Sequence, residues 1–172
     1  KHFQVDNVKK KNMSIEQRQV GSTFKPILYA TAIEHGGAKP CDKFLSIPVT
    51  FEKGKKLGIN KEYTPNEDKI DKNHDGKEIT MKRGLARSLN HIAASILKQK
   101  LTSTSLVIQM ARKMGITSEL SPGPSICFGP DAISLYEMVG AYSSFVNKGY
   151  WKKPIFIDSI VDRNGVLIAT KS

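Results

Sequence analysis

Residues 18–30 read RQVGSTFKPILYA, and the fold turns on how this stretch is read. Polar text gives way at Ser22 to helical spacing, with Phe24, Ile27, Leu28, Ala32 and Ile33 on one stripe and Gly36-Gly37 as the stop. Pro26 falls in the first turn, where backbone N–H groups lack helical partners in any case. The spacing predicts a helix that opens at Ser22 and carries Lys25 one turn inside it. Positions i and i+3 share a helical face, so the Ser22 hydroxyl and the Lys25 amine can meet. Unpaired N–H groups and the positive dipole end at a helix N-terminus favour an anionic oxygen, such as that of a tetrahedral acyl intermediate. The same field disfavours a charged lysine. A neutral lysine can take the hydroxyl proton and make the serine a nucleophile. A serine before a helix is also an ordinary N-cap, so the pair alone leaves both readings open.

Working outward, helical spacing returns from Thr80, with Met81, Leu85, Leu89, Ile92 and Ile96 on one face. Ser88 and Asn90, in ARSLNHIAASIL (86–97), interrupt it. Asparagine is poor in a helix interior, so one helix is expected to end near Arg87 and the next to start at Ser88 or Asn90. Both side chains then project from a tight connection. A hydroxyl there can relay a proton and an amide can pin a substrate's amide, although both residues also cap helices.

A third helix is expected over Thr104–Met114, closed by Gly115. A fourth follows the Pro/Gly-rich SPGPSICFGPDA, with Ser134 and Glu137 as a capping box and Leu135, Met138, Val139, Tyr142 and Phe145 as its buried stripe. FIDSIVDRNGVLIAT reads as a hairpin with a type I′ turn at Asn164-Gly165. Residues 1–20 read as an approach loop. Residues 38–79 are loop-rich, with a strand candidate at Ile47–Phe51.

The 172 residues suffice for one domain with a core, and 39% hydrophobic with 25% charged residues is ordinary globular composition. The chain opens on Lys1 and reads as a piece of a longer protein. No apolar run approaches the ~18 residues of a membrane helix. Twenty-seven Lys and Arg against 16 Asp and Glu give a charge of +11. These residues are dispersed and no nucleic-acid-binding signature accompanies them, so the excess reads as a solvated face and nucleic acid is not expected as a partner. Cys41 and Cys127 lack CxxC spacing and read as two buried free thiols, a single bridge being the alternative. DKNHDGKEITMK (71–82) imitates a calcium loop through Asp71, Asn73, Asp75 and Gly76. Its twelfth position, however, is Lys82 where a bidentate glutamate belongs. No metal is expected, and His74 and His91, without ligand-spaced partners, read as structural or solvated.

Ser-x-x-Lys followed by Ser-x-Asn is the motif order of penicillin-binding proteins and class A β-lactamases. The resemblance extends well beyond the motifs. RQVGSTFKPILYATAIEHG, YTPNEDKIDKNHDGKEITMKRGLARSLNHIAASIL, ARKMGITSELSPGPSICFG, SLYEMVGAYSSFVNKG and PIFIDSIVDRNGVLI together resemble the transpeptidase domain of class A (bifunctional) penicillin-binding proteins, in family order over nearly the whole chain. The flanking blocks set it apart from β-lactamases, which share only the motifs.

The resemblance implies an α+β penicillin-binding transpeptidase/serine β-lactamase-like fold, of which residues 1–172 are the mostly helical middle with a C-terminal β-hairpin. It implies Ser22 as the nucleophile acylated by D-Ala-D-Ala stem peptides or β-lactams, and Lys25 as general base. Ser88 is then the proton shuttle, and Asn90 the substrate-binding residue that also holds Lys25. An amine from a neighbouring strand resolves the ester and cross-links peptidoglycan, with no cofactor. The implied parent is membrane-anchored on the extracytoplasmic (periplasmic) face of a bacterial cytoplasmic membrane. Val20 stands where the family usually has proline, and Leu89 where the second motif has aspartate. No Lys-Thr-Gly or Lys-Ser-Gly occurs, and in the family that strand lies downstream of DRNGVLI. The expected sheet strands flank this chain at both ends, and the chain by itself is expected to be poorly active. Alternatives are a β-lactam-sensing or other non-catalytic module, or a D,D-carboxypeptidase or β-lactamase with water as acceptor.

Overall fold

The computed structural model describes residues 13–52, 62–65, 74–101, 103–129 and 131–170. Among the described residues five α-helices form the frame: α1 (Lys25–Gly36), α2 (Met81–Ala86), α3 (Asn90–Lys100), α4 (Thr104–Lys113) and α5 (Leu135–Val146). Three antiparallel strand pairs complete it: β1 (Gln17–Gln19) with β4 (Ala132–Ser134), β2 (Lys43–Leu45) with β3 (Glu78–Thr80), and β5 (Ser159–Val161) with β6 (Leu167–Thr170). Among the described residues no helix is long and apolar enough to cross a membrane.

α1 runs through the centre. It packs against α3 and α4, and Lys25, Ile27, Leu28, Tyr29, Thr31 and Ala32 are all buried. Its burial is therefore wider than the single stripe read from the sequence, while Ile33 is exposed. Gly37, at φ 61°, ends it, with the Ala38 N–H donated back to the Ala32 carbonyl at 3.0 Å. Around α1 lie Ile92, Ala93, Ile96 and Leu97 of α3, Val107 and Ala111 of α4, and Ile116, Ile126 and Cys127. At ~1.5–3 kcal/mol per fully buried aliphatic side chain, this cluster supplies the driving force that sets α1 and α3 side by side.

Several expectations need correction. Residues 17–19 are strand, not loop: β1 pairs in register with β4, Gln17 opposite Ser134. Ile47–Phe51 is not a strand. Pro48 has no N–H to donate, and Phe51 alone bridges to Tyr63, while the neighbouring Phe44 segment pairs instead. The α5 stripe is exposed, Leu135 at 60% and Val139 at 52%. Only Met138 of those five is buried, because small residues, Gly140, Ala141 and Ser144, form the inward face. The hairpin is present, but its turn is not type I′, which needs φ > 0 at both central residues. Of the turn residues only Gly165 (φ 82°) is positive. The Asp162 carboxylate accepts from the N–H groups of Asn164 and Val166 at 2.8 Å each, which stabilises a longer loop. Both cysteines are free thiols, but Cys41 is exposed. His74 and His91 are buried. Asp71 and Asn73 of the calcium-like loop lie outside the described residues.

The capping box is present as read: the Ser134 hydroxyl accepts from Glu137 N–H at 3.2 Å, and Glu137 Oε2 accepts from Ser134 N–H at 3.2 Å. Partial burial alone would raise the Glu137 pKa. Hydrogen bonds donated by Ser118, Thr117 and Ser134 outweigh it and lower the carboxyl from 4.5 to about 2. The folded state therefore binds this proton less readily than the unfolded chain. Its contribution to stability is complete above pH 4.5 and is lost as pH falls through about 2. Glu137→Gln is expected to lower the melting temperature at neutral pH and to flatten its fall over that acidic range, as read by circular dichroism melts.

Candidate active site

Lys25, the first residue of α1, is completely buried. Its Nζ lies 2.6 Å from the Ser88 carbonyl oxygen, 2.6 Å from Asn90 Oδ1 and 3.1 Å from Ser88 Oγ. The connection predicted at 88–90 thus closes over the amine. α2 ends at Ala86, α3 begins at Asn90, and Ser88 between them takes φ 56°. That left-handed residue reverses the chain tightly, with Ser88 N–H on the Leu85 carbonyl and Leu89 N–H on the Gly84 carbonyl, both at 2.9 Å. One residue thereby offers both its carbonyl and its hydroxyl to the same amine.

These contacts serve two protonation states. An ammonium donates all three N–H groups to the three oxygens. A neutral amine donates two, to the Ser88 carbonyl and Asn90 Oδ1, which can only accept. It then takes the Ser88 O–H on its lone pair. The Ser88 hydroxyl can therefore exchange a proton with Lys25 without any heavy atom moving. The N-termini of α1 and α3 also converge here, and their positive dipole ends oppose a charge that the oxygens favour.

Ser22 sits in a single 3-10 turn, Gly21–Phe24, and not in the α-helix proper, which begins three residues later than the spacing suggested. The Lys25 N–H is donated to the Ser22 carbonyl, so the turn feeds directly into α1. Ser22 is an exposed residue, while Lys25, three residues further on, is fully enclosed. The turn is fixed by Thr23 Oγ1 donating to the Val20 carbonyl at 2.6 Å, Tyr142 Oη donating to the Thr23 carbonyl at 2.8 Å, and Gly21 N–H donating to the Gly129 carbonyl at 2.9 Å.

Gly129 and Tyr142 were not singled out as site residues from the sequence. Gly129 ends the 3-10 turn Pro124–Phe128 at φ 63°, and a Cβ there would sit 2.2 Å from the Gly21 carbonyl oxygen. Its only sequence signal is the Pro/Gly-rich run around it, which says nothing of the partner. Cys127, close to Lys25, is no rival nucleophile. Burial pushes its thiol pKa up, more than the Lys25 charge lowers it, and its Sγ contacts the Pro124 carbonyl at 2.9 Å. Among the described residues no group of three His, Cys, Asp or Glu could hold a metal ion.

On this α+β scaffold a buried lysine is thus held by a Ser-x-Asn turn, three residues after an exposed serine. The chain belongs to the penicillin binding protein transpeptidase domain family, whose model matches residues 1–172. It is 31% identical over 154 residues to penicillin-binding protein 1A of Aquifex aeolicus, covering 88% of this chain and 19% of that protein. To penicillin-binding protein 1A of Neisseria meningitidis it is 33% identical over 159 residues, covering 88% and 18%. The crystal structure of penicillin-binding protein 1A from Haemophilus influenzae superposes with a TM-score of 0.73 at 22% identity, covering 90% of this chain and 22% of that one. The chain thus spans about a fifth of the length of these relatives.

Gly129→Ala is expected to destabilise the fold by about 1–3 kcal/mol, since the new methyl meets backbone and not a yielding side chain. Urea unfolding measures it. A loss below half a kcal/mol would show that the 129 and 21 backbones are not held together.

Proposed function

We propose that this segment supplies the nucleophile and proton-transfer groups of an acyl-serine D,D-transpeptidase that cross-links peptidoglycan. One observation carries the reading: the buried Lys25 amine is held by Ser88 and Asn90, three residues along the chain from the exposed Ser22. Family membership supports it.

In this reading Ser22 Oγ attacks the carbonyl of the penultimate D-Ala of a stem peptide, and its proton passes to Lys25. The C–N bond to the terminal D-Ala then breaks. Lys25 returns the proton through the Ser88 hydroxyl to the departing amine, leaving an ester on Ser22. The Asn90 amide orients the substrate while its Oδ1 holds the amine. An amine from a second stem peptide displaces the ester, gives up its proton along the same path, and forms the new amide. A β-lactam enters as the first substrate does, but its amine stays tethered after ring opening, so the ester persists.

The oxyanion of the tetrahedral intermediate needs donors beyond the Ser22 turn. We assign the second donor, with the substrate-pairing edge, to a strand outside these 172 residues, in a parent anchored on the outer face of a bacterial membrane. Losing a single oxyanion donor costs ~10²–10³ in rate, so the segment alone is a poor acyl acceptor.

Incubated with a fluorescent penicillin, the full-length protein is expected to gain one label per chain. Mass spectrometry should place that label on Ser22, and Ser22→Ala should abolish it. The isolated 172-residue chain is expected to label at least ~10²-fold more slowly. A stable label on another residue would overturn the assignment, and rapid hydrolysis of the adduct would make the protein a β-lactamase.

A further inference from the structure

Helix α5 holds the strand that leads into the Ser22 turn at one end and the turn itself further along. At its first turn, Glu137 Oε1 accepts from Thr117 N–H (2.7 Å), Thr117 Oγ1 (2.8 Å) and Ser118 N–H (2.8 Å). Its Oε2 accepts from Ser118 Oγ (2.6 Å) and Ser134 Oγ (2.8 Å) as well as from the Ser134 N–H. A capping box alone needs only Ser134. The additional bonds reach a segment that in turn grips β1, because Ser118 Oγ accepts from Gln17 Nε2 at 2.9 Å. Gln17 also lies opposite Ser134 in the β1–β4 ladder, and Tyr136 N–H is donated to the Ser14 carbonyl at 2.8 Å. The N-terminal end of α5 therefore holds residues 14–17 through a side chain, a strand pairing and a backbone bond.

β1 then runs straight into Val20, Gly21 and Ser22. Five residues further along α5, about 7–8 Å of helix, Tyr142 donates to the carbonyl of Thr23, the residue after Ser22. The exposed Ser22 thus hangs between two anchors on one rigid rod.

We propose that α5 is a splint for the Ser22 turn, with Glu137 and Tyr142 as positioning residues for acyl transfer; this rests on the acyl-serine reading above. A single 3-10 turn at the surface has few bonds of its own, and an ångström of misplacement at a reacting atom can cost ~10²-fold in rate. Both act through the backbone that carries the hydroxyl. The low pKa of Glu137 keeps it an acceptor at neutral pH, where the splint is needed.

The test measures the time course of acylation of the full-length protein by a fluorescent penicillin, separating the limiting acylation rate from the prior binding constant. Tyr142→Phe removes one hydroxyl. It is expected to lower the limiting rate about threefold to tenfold, leaving the binding constant and melting temperature near those of the unmodified protein. Glu137→Ala, assayed well below its melting temperature, is expected to lose about tenfold or more. Glu137→Gln should recover most of this, because its carbonyl can still accept from residues 117–118 and its amide can donate to Ser134 Oγ. Limiting rates unchanged in folded Tyr142→Phe and Glu137→Ala overturn the splint while leaving the acyl-serine reading intact. If Glu137→Ala does not fold, Tyr142→Phe decides. Absence of label on Ser22 in the unmodified protein overturns the acyl-serine reading, and the splint with it.

Discussion

A primary amine removed from water must find oxygen, and in this chain the Lys25 amine finds it on a single short connection. Leaving such a group buried without partners costs several kcal/mol. The Ser88 carbonyl, the Ser88 hydroxyl and Asn90 Oδ1 together remove that penalty. The requirement works in both directions. The first two turns of α1 can be buried on most sides only if the α2–α3 connection arrives over its first residue, and that connection can be tight only because its polar atoms have a donor to receive. The apolar packing of α1 against α3 brings the two helices side by side, and the amine fixes how far along one another they sit.

Around that centre the polar groups form a frame, whereas the apolar ones supply cohesion. Gly21 is tied to Gly129, Thr23 to Val20 and Tyr142, and Gln17 to Ser118. All but the local Thr23–Val20 bond span elements far apart in sequence, and each ends within five residues of Ser22. Net hydrogen bonds are worth about 1 kcal/mol apiece, so none of these is decisive for stability. Their value lies in narrowing where one hydroxyl can be. Among the described lysines and arginines only Lys25 is buried; Arg112 joins the frame by donating to the Ile116 and Ser118 carbonyls, and Lys100 with Asp42 at 3.1 Å is a half-buried pair at the far end of α1 and α3.

The helices were legible in the sequence because their burial is periodic and their ends are marked. Gly37 and Gly115 stop helices where a left-handed residue is needed, and Ser134 with Glu137 writes a cap in four letters. The 88–90 break was legible for the opposite reason, two polar residues where the apolar pattern should continue. The misreadings have physical causes too. The α5 stripe is apolar as read, but burial depends on what stands opposite, and here the small-residue face turns inward. β1 and β4 are three residues each and neither alternates clearly, so no window of sequence could find them. The 164–165 turn was misjudged because Asp162, two residues earlier, competes for the backbone N–H groups. At the site, residue types with intrinsic chemistry announced themselves: Ser22, Lys25, Ser88, Asn90. Gly129 and Tyr142, whose importance lies in the backbone atoms they meet, did not.

Ser88 occupies a region of backbone space that a residue with a Cβ enters at a cost on the order of 1–2 kcal/mol. Glycine would relieve that tension, and asparagine would ease it. Either replacement takes the hydroxyl away from the Lys25 amine. Relief of the backbone and solvation of the buried amine therefore pull position 88 in opposite directions, and the serine there settles the contest for the amine.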